Sequence, residues 1–272
     1  MSTPGSDSVF AGSVPELYDS QMVPLIFEPY AADLTRRVAA LSPAAILETA
    51  AGSGVVTRAL AASLPPGATY VATDLNQPMV DYARSRQPPD TRITWRQADA
   101  LALPFDNAAF DLVVCQFGAM FFPDRIAGYR EARRVLKPGG HFLFNVWDRI
   151  EENVFADEVT NALAEIFPDD PPRFMARTPH GYHDRTLIRG ELAAAGFPHV
   201  TIETRAEQSR ASSPRIPATA YCQGTVLRSE IEARDPGNLQ SATDTVAAAI
   251  AERHGHGEIA AKIQAHIIMA EV

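Results

Sequence analysis

Between residues 44 and 148, short apolar runs alternate with segments whose apolar side chains recur at helical spacing. Parallel strands need such a crossover connection, so the alternation predicts a mostly parallel sheet with right-handed connections and helices on both faces. The predicted strands are AAIL, TYVATD, RITWRQAD, FDLVVCQ and HFLFNVW. Helices are predicted over residues 55–63, 78–86 and 124–136, the second of them capped by Asn76.

The chain on either side of this region follows a looser pattern. Before it, apolar positions at helical spacing predict a helix over residues 30–41. No linker long enough to separate two domains interrupts the sequence. We therefore expect one domain, made of an N-terminal part (1–41), a core (44–148), inserted elements (149–259) and a last strand (260–272). Within the inserted elements we expect helices over 153–167, 187–195, 217–233 and 238–254, a loop over 175–184 and a strand over 199–206.

Composition and charge narrow the range of partners. The 272 residues include 24 Lys and Arg against 33 Asp and Glu, which gives a net charge of -9 and a pI near 5.3. This balance disfavours a protein whose main task is to bind a polyanion or an anionic membrane surface. No apolar run approaches the ~18–20 residues that span a bilayer, and the polar N-terminus lacks the features of a signal peptide. Two cysteines provide neither a disulfide framework nor a zinc motif, so a cytoplasmic location is expected.

The segment ILETAAGSGVVTRAL carries the most informative chemistry. An apolar strand ends at Glu48, and Gly52 and Gly54 then let the backbone turn tightly and approach a ligand. The free N–H groups at the start of the following helix favour a carboxylate or a phosphate. Asp74 ends the next strand, where an acid can accept both hydroxyls of a ribose. This pattern indicates a nucleoside-containing cofactor.

Three details distinguish among such cofactors. The dinucleotide fingerprint requires Gly or Ala at the third position of G-x-G-x-x-G, where this chain has Thr57. The G-x-x-x-x-G-K-[ST] loop is missing from the sequence, because Lys137 and Lys262 lie elsewhere. Asp99 follows the third strand. Acids after the first three strands suit a ligand with an adenosine, two ribose hydroxyls and an amino-acid tail.

Four ordered stretches resemble the class I S-adenosylmethionine-dependent methyltransferases, and in particular the small-molecule group that includes the ubiquinone and menaquinone methyltransferases. The stretches are ILETAAGSG, VATDLNQPMVDYAR, ADALALPFDNAAFDLVVCQFGAMFFPD and EARRVLKPGGHFLFNVWD. The resemblance is strong over residues 44–148 and weak elsewhere. It implies an α/β fold with a Rossmann-like, doubly wound, seven-stranded sheet whose last strand, in AKIQAHIIMAEV, is antiparallel. It also implies methyl transfer from S-adenosylmethionine, with S-adenosylhomocysteine as the product.

The resemblance also implies roles for individual residues. Glu48 and the backbone of residues 50–52 would hold the methionine end, Asp74 would bind the ribose, and Asp99 would accept from the adenine amino group. Ala50 stands where the family commonly has glycine, and alanine is small enough for the turn. The full set of expected cofactor-binding residues is Glu48, Ala50, Gly52, Gly54, Asp74, Leu75, Met79, Asp99, Ala100, Leu101, Gln116 and Phe117.

The acceptor side is less strongly indicated. Methyl transfer needs an acid–base group only if the acceptor holds its proton, and the candidates are His180, His183 and Tyr18. No third ligand lies at suitable spacing from the two histidines, so no metal site is expected. The apolar segment 14–30 contains three prolines, which predict a broken helix, and we expect it to act as a lid. Residues expected on the substrate or lid side are Tyr18, Phe27, Tyr30, Phe121 and Trp147.

The inserted helices are mostly apolar, which favours an apolar or aromatic small molecule as the substrate. The [ND]-P-P-[YFW] motif of the amino-methylating nucleic-acid enzymes is replaced here by CQFG at residues 115–118. Two alternatives stay open at this point: a cofactor-binding regulatory or interaction module without turnover, and a nucleic-acid methyltransferase. The pattern specifies neither the methylated atom nor the oligomeric state.

Overall fold

A central β-sheet organises the protein, whose computed structural model describes residues 17–272. The strands are β1 Ala45–Glu48, β2 Thr69–Asp74, β3 Ile93–Gln97, β4 Phe110–Gln116, β5 Leu136–Trp147, β6 His199–Ala211 and β7 Ile259–Glu271. They form one 7-stranded sheet in the order β3-β2-β1-β4-β5-β7-β6. β7 runs antiparallel to both of its neighbours, and the other paired strands are parallel. The expected α/β sheet with an antiparallel last strand is therefore confirmed.

Helices connect the strands and flank the sheet. In chain order they are α1 Glu28–Leu41, α2 Val55–Ala61, α3 Gln77–Arg86, α4 Arg125–Val135, α5 Val154–Ile166, α6 Phe174–Arg177, α7 Arg185–Ala194, α8 Arg215–Gly224, α9 Leu227–Arg234 and α10 Leu239–His254. Over residues 17–272, none of the helices combines the length and the apolar character needed to cross a bilayer.

Local differences from the predicted elements have tertiary causes. β6 continues beyond the predicted end at residue 206, because its register with β7 is unbroken as far as residue 211. The single helix predicted over residues 217–233 is divided into α8 and α9. Thr225 separates them: its hydroxyl donates to the Tyr221 carbonyl at 2.7 Å and accepts the Leu227 N–H at 3.1 Å. The short helix α6 overlaps the start of the segment expected to be a loop.

The described N-terminal segment is helical without interruption, which contradicts the expectation that prolines break it. Residues Tyr18–Phe27 form a π-helix that leads directly into α1. In an α-helix a proline ring clashes with the carbonyl four residues back. Hydrogen bonds here reach five residues back, as from Glu28 N–H to the Val23 carbonyl, and the wider turn accommodates Pro24. Pro29 lies in the first turn of α1, directly after the π-helix. The part of the expected lid before residue 17 lies outside the described residues.

The π-helix is packed into the body of the protein. Its buried side chains are Met22, Val23, Leu25, Ile26 and Phe27. Asp19 anchors its beginning, because the Asp19 carboxylate accepts from Arg58 at 2.8 Å and from the Tyr82 hydroxyl at 3.2 Å. Arg86 adds a longer ion pair at 3.8 Å. The segment is thereby tied to α2 and α3, the helices that follow β1 and β2.

The turn after β1 uses backbone conformations that favour glycine. Gly52 and Gly54 have φ values of 56° and 83°, and Ala50 has a φ of 53°. A left-handed conformation costs a non-glycine residue about 1–2 kcal/mol, so Ala50 fits the turn in size but strains its backbone. Gly118 makes room for it, because a Cβ at Gly118 would lie 2.4 Å from the Ala50 Cβ and 2.8 Å from the Cys115 Sγ. The turns after β1 and β4 are therefore matched in shape.

We expect Gly118→Ala to destabilise the protein, because the added methyl group overlaps Ala50 and overpacking of this kind costs about 1–3 kcal/mol. Ala50→Gly in the Gly118→Ala background should recover part of the loss. Urea unfolding followed by circular dichroism measures both effects. Gly190→Ala is the matched control, since a Cβ there meets nothing within 4 Å and alanine favours a helix. If Gly118→Ala is as stable as the wild type, or if the two substitutions are simply additive, this packing is wrong.

Candidate functional site

The carboxyl ends of β1 to β5 surround a cavity of about 360 Å³. Loops that follow neighbouring parallel strands meet at one edge of a sheet, which is where open α/β sheets bind ligands. The expected cofactor-binding residues on its wall are Ala50, Gly52, Asp74, Leu75, Met79, Asp99, Ala100, Leu101, Gln116 and Phe117. Of the residues expected on the substrate or lid side, the wall includes Tyr18, Phe27, Phe121 and Trp147. The structure thus brings most of the predicted residues together.

Strand order arranges this wall from one end to the other. Along the sheet edge, the residues at or just after the strand ends follow in the order Asp99, Asp74, Glu48, Gln116 and Trp147. Acidic groups therefore lie at the end formed by β3, β2 and β1. Aromatic groups lie at the β5 end, and β4 stands between the two. The cavity consequently has a polar end and an apolar end.

Glu48 lines a second, smaller cavity of about 30 Å³. Its side chain is buried, and the hydroxyls of Thr57 and Tyr70 both donate to Oε2, that of Tyr70 at 2.6 Å. Burial raises the pKa of Glu48 to about 7, and the Asp74 charge adds to this, against the two hydrogen bonds that lower it. The carboxyl group therefore changes charge near neutral pH, and its Oε1 is left for a ligand.

Asp74 ties the first two turns together. One carboxylate oxygen accepts the Gly52 N–H at 2.9 Å, and the other accepts the Asn76 N–H at 2.8 Å. Asn76 does precede α3, but its side chain makes no capping hydrogen bond, so the predicted side-chain cap is wrong. Burial raises the pKa of Asp74, and these backbone donors oppose the shift. The Asn76 side-chain amide makes a longer bond to the same oxygen, Oδ1, at 3.4 Å. Of about four lone-pair positions, Asp74 therefore keeps one unused on Oδ2, and a stronger donor could replace the long Asn76 bond at Oδ1.

Asp99 has a similar part in the turn after β3, where its Oδ1 accepts the Leu101 N–H at 2.9 Å. Asp99 is partly exposed, unlike Asp74.

Ser53 and Gln116 differ from both acids, because they are buried polar side chains with no hydrogen-bond partner in the described part of the chain. Both line the small cavity. An unpaired buried polar group costs about 1–3 kcal/mol, which a bound ligand would offset.

An aromatic wall closes the β5 end. Phe117 stacks on Trp147, with ring centroids 3.8 Å apart and planes inclined by 9°. Phe27 of the π-helix contacts both rings. Phe117 has a φ of 52°, and its N–H donates to the Asn145 Oδ1 at 2.9 Å. The strained backbone is thus held in place by the neighbouring strand, and the ring is fixed on the cavity wall.

Apolar side chains from the loop after β4 and from α6 complete this end of the cavity. They are Met120, Phe121, Phe122, Phe174 and Met175. Among the described residues that line the cavity there is no Lys, Arg or His. Tyr18 lines it as well, and burial raises the pKa of its phenol well above the ordinary value, so it stays protonated at neutral pH. The cavity is therefore negative at one end and uncharged at the other.

The structure places the candidate histidines away from this wall. The His180 Nδ1 lies 2.8 Å from the Asp148 carbonyl, and burial lowers the pKa of His180 to about 4. The His183 Nδ1 lies 2.8 Å from the His180 carbonyl. His180 packs beside Trp147, with 6.0 Å between the ring centroids. Within residues 17–272, no three or more His, Cys, Asp or Glu side chains are grouped as metal ligands.

Two other expected site residues also lie off the wall. Gly54 does not line the cavity, and a Cβ there would approach Trp95 to 3.0 Å and Ala83 to 3.1 Å, so its role is close packing. Tyr30 is fully buried behind the cavity, edge-on to Phe117 and Trp147. Its hydroxyl donates to the Arg205 carbonyl at 3.1 Å. Tyr30 therefore supports the aromatic wall without forming part of it.

Sequence reasoning missed the residues that hold Glu48. In the sequence Thr57 stands out only as a departure from the dinucleotide pattern, yet it lies in the first turn of α2 and its hydroxyl donates to Glu48. Tyr70 carries no signal of its own, because its place beside Glu48 depends on the register in which Ile46 pairs with Tyr70. Ser53 lies between two glycines. The sequence gives no indication that its hydroxyl is buried and unpaired.

Comparisons with known proteins agree with this geometry. A family profile described as a methyltransferase domain matches residues 47–144. A demethylmenaquinone methyltransferase of Clavibacter sepedonicus is 32% identical over 175 residues, which cover 61% of this chain and 70% of that protein. A ubiquinone/menaquinone biosynthesis C-methyltransferase of Burkholderia vietnamiensis is 30% identical over 161 residues, which cover 56% of this chain and 66% of that protein.

A solved structure supports the fold. A candidate methyltransferase from Bacillus halodurans superposes with a TM-score of 0.56 at 20% identity, covering 88% of this chain and 97% of that one. The family profile spans β1 to β5, the strands that form the cavity floor. The methyl donor of this family is S-adenosylmethionine, and S-adenosylhomocysteine is its product. From its sequence relatives and its fold together, the chain belongs to the class I S-adenosylmethionine-dependent methyltransferases.

Proposed function

We propose that the protein, an enzyme of class 2.1.1, methylates a small, uncharged acceptor that carries an aromatic ring. The observation that carries this proposal is the division of one cavity into an acidic end and an apolar end, with no cationic side chain among its described lining residues. The acidic end suits the cofactor of the family. The apolar end, between Phe121 and Trp147, offers a chamber for a flat, apolar molecule and no countercharge for an anion.

The residues present fit S-adenosylmethionine. The small cavity has room for about one small polar group, and Glu48 and the unpaired Ser53 hydroxyl line it. Of the two charged groups of an amino-acid tail, the ammonium suits Glu48 and the carboxylate suits the Ser53 hydroxyl. Asp74 can accept one ribose hydroxyl at the unused position of Oδ2 and a second in place of the long Asn76 side-chain bond to Oδ1, which suits the two ribose hydroxyls. Asp99 lies at the β3 end of the wall, where it can accept from the adenine amino group.

When bound, S-adenosylmethionine supplies a methyl group already activated on a positively charged sulfur. The task of the chain is then to hold donor and acceptor in line and to exclude water. The stacked rings of Phe117 and Trp147 line the β5 end of the cavity, and aromatic faces attract a cation. Tyr18, with Met22, Ile26 and Phe27 beside it, closes the cavity on the side of the π-helix.

The cavity wall offers no evident general base. The described lining residues include no histidine, and the Tyr18 phenol keeps its own proton. Asp74 and Asp99 accept hydrogen bonds from the backbone at the far end of the cavity. We therefore propose an acceptor that is nucleophilic while uncharged, as an electron-rich hydroxylated ring is, and that loses its proton to solvent only after the methyl group has been transferred.

The names of the sequence relatives point in the same direction. One is a demethylmenaquinone methyltransferase, and another is a C-methyltransferase of ubiquinone and menaquinone biosynthesis. For this chain we propose an acceptor of the same broad chemistry, a ring that carries hydroxyl or carbonyl oxygens. The apolar chamber supports this independently, because its walls are aromatic and thioether side chains.

Two alternatives predict different observations. A nucleic-acid methyltransferase needs cationic side chains beside its substrate, and none lines the described cavity. A cofactor-binding module without turnover would bind S-adenosylhomocysteine equally well, so only catalysis distinguishes it.

The deciding experiment incubates the protein with S-adenosylmethionine and a panel of naphthols, quinols and catechols and measures S-adenosylhomocysteine production. Turnover with at least one ring acceptor supports the proposal, whereas cofactor binding with no turnover on the panel favours the module.

Asp74→Ala should weaken S-adenosylhomocysteine binding far more than Asp99→Ala. Asp74 is proposed to accept two ribose hydroxyls, and hydrogen bonds to a charged group contribute about 1.5–3 kcal/mol each. Asp99 is proposed to accept one bond, and water can partly replace it because Asp99 is partly exposed. Isothermal titration calorimetry measures both losses, with the exposed Asp106→Ala as the charge control. Equal losses for Asp74→Ala and Asp99→Ala would contradict the ribose assignment.

Binding of S-adenosylhomocysteine should tighten as the pH rises to about 7 and then level off. In the free protein burial raises the pKa of Glu48 to about 7, so below that pH the carboxyl group is protonated. An ammonium group bound beside Glu48 requires the carboxylate, and each pH unit below 7 then costs up to about tenfold in affinity.

Calorimetric titrations between about pH 5.5 and pH 8, in buffers of different ionisation enthalpy, measure the affinity and the proton released. Glu48→Gln is the matched variant, and it should bind more weakly with no such pH dependence. Proton uptake on binding, or the same pH profile in the wild type and in Glu48→Gln, would rule out contact between Glu48 and the cofactor.

The π-helix is proposed to be the lid, because it closes the cavity and the Asp19 side chain fastens its beginning to α2 and α3. Asp19→Asn should speed the release of S-adenosylhomocysteine by about tenfold, since it weakens charged hydrogen bonds. In the wild type, hydrogen exchange over residues 17–30 should slow when the ligand binds.

Stopped-flow fluorescence measures the release rate, and Asp90→Asn, which weakens an ion pair with Arg92 far along the sheet, is the control. Deletion of the whole segment is a poorer test, because it would also remove buried core side chains. If Asp19→Asn releases the ligand at the wild-type rate, and hydrogen exchange over residues 17–30 does not change when the ligand binds, the segment packs against the protein without acting as a lid.

A further inference from the structure

Gln116, the last residue of β4, is a buried amide that bonds to nothing in the described protein. Its exposed fraction is 9%, and neither Nε2 nor Oε1 has a hydrogen-bond partner. Buried amides without partners destabilise a folded protein and are uncommon in native structures. A ligand group that bonds to this amide would remove the penalty, so the amide indicates a binding position.

The place of Gln116 on the wall indicates which ligand it serves. Gln116 lines both the large and the small cavity. On its β1 side lie Glu48 and Ser53, proposed above to hold the amino-acid end of the cofactor. On its β5 side lies Trp147 with the apolar chamber. Gln116 therefore lies at the junction between the donor and the proposed acceptor, with its amide group covered in the free protein.

Neighbouring polar groups do not satisfy this amide. Asn145 is its register partner on β5, but the Asn145 Oδ1 already accepts the Phe117 N–H, and its Nδ2 makes no bond to Gln116. The Thr225 hydroxyl, across the chamber, donates to one backbone carbonyl and accepts from one N–H. Gln116 thus combines an unpaired donor and an unpaired acceptor on one buried side chain.

We propose that the Gln116 amide binds an oxygen of the acceptor, a hydroxyl or carbonyl group on its aromatic ring, and so determines which ring position faces the methyl donor. This inference rests on the proposed function. Nε2 can donate a hydrogen bond to a carbonyl oxygen, and Oε1 can accept a hydrogen bond from a hydroxyl group. A ring that lacks the oxygen leaves the amide unpaired, so it binds about tenfold more weakly or worse.

The test compares 1-naphthol with naphthalene, two rings that differ by one hydroxyl group. Both are titrated into the wild type and into Gln116→Leu at saturating S-adenosylhomocysteine, with tryptophan fluorescence as the signal because Trp147 lines the cavity. The wild type should prefer 1-naphthol by about tenfold, and Gln116→Leu should lose that preference. Met120→Leu, an apolar change on the same wall, should keep it.

Two further measurements separate this proposal from other roles of the residue. Gln116→Leu should melt at the same temperature as the wild type or higher, because an apolar side chain replaces an unpaired buried amide. Its affinity for S-adenosylhomocysteine should stay within about threefold of the wild type. A lower melting temperature would show that Gln116 stabilises the folded protein. A large loss of S-adenosylhomocysteine affinity would show that Gln116 binds the cofactor. Either result overturns the proposal.

The proposal and the proposed function fail in different ways. Equal affinity of the wild type for 1-naphthol and naphthalene, or an unchanged preference in Gln116→Leu, contradicts the role of Gln116 and leaves methyl transfer to ring acceptors intact. Absence of turnover on the whole acceptor panel contradicts the proposed function instead. Turnover by Gln116→Leu that shifts methylation to a different ring position would support the proposal directly.

Discussion

The Asp74 carboxylate is the contact on which the functional end of this protein depends. By accepting the Gly52 N–H in one turn and the Asn76 N–H in the next, it joins the loops of two adjacent parallel strands. Burial opposes its charge, and the backbone donors compensate. Because Gly52 is held there, the turn after β1 keeps its left-handed conformation, and the small cavity beside Glu48 keeps its shape.

Unfavourable local features collect at the same edge of the sheet. Ala50 and Phe117 have left-handed backbones, Glu48 is an acid buried without a bonded cation, and Gln116 is an unpaired amide. Such features persist where the surrounding structure enforces them, and they cluster at functional sites. Here the sheet enforces these features, because its central strands β1, β4 and β5 are almost fully buried. The free protein is thus strained where a ligand would relieve the strain.

The two ends of the cavity are built in different ways. The polar end comes from strand–turn–helix units, in which each acid lies close in sequence to the backbone that it organises, as Asp74 lies close to Asn76. The apolar end is assembled from distant segments: the π-helix, the loop after β4, and α6, which follows β5. This difference explains why the chemistry of the donor is so much easier to infer than that of the acceptor.

The sequence by itself determined the parallel sheet and the acids and glycines of the polar end, because these depend on hydrophobic period and on residues close together along the chain. The antiparallel direction of the last strand was implied by the family resemblance and not by the hydrophobic period. The prediction that prolines break the N-terminal helix was wrong, because a π-helical turn accommodates Pro24. Only the tertiary structure decided that His180, His183, Gly54 and Tyr30 lie off the cavity, that Thr57 and Tyr70 hold Glu48, and that Gln116 is left unpaired. Those outcomes depend on strand register and on contacts between residues far apart in the chain, which no local pattern encodes.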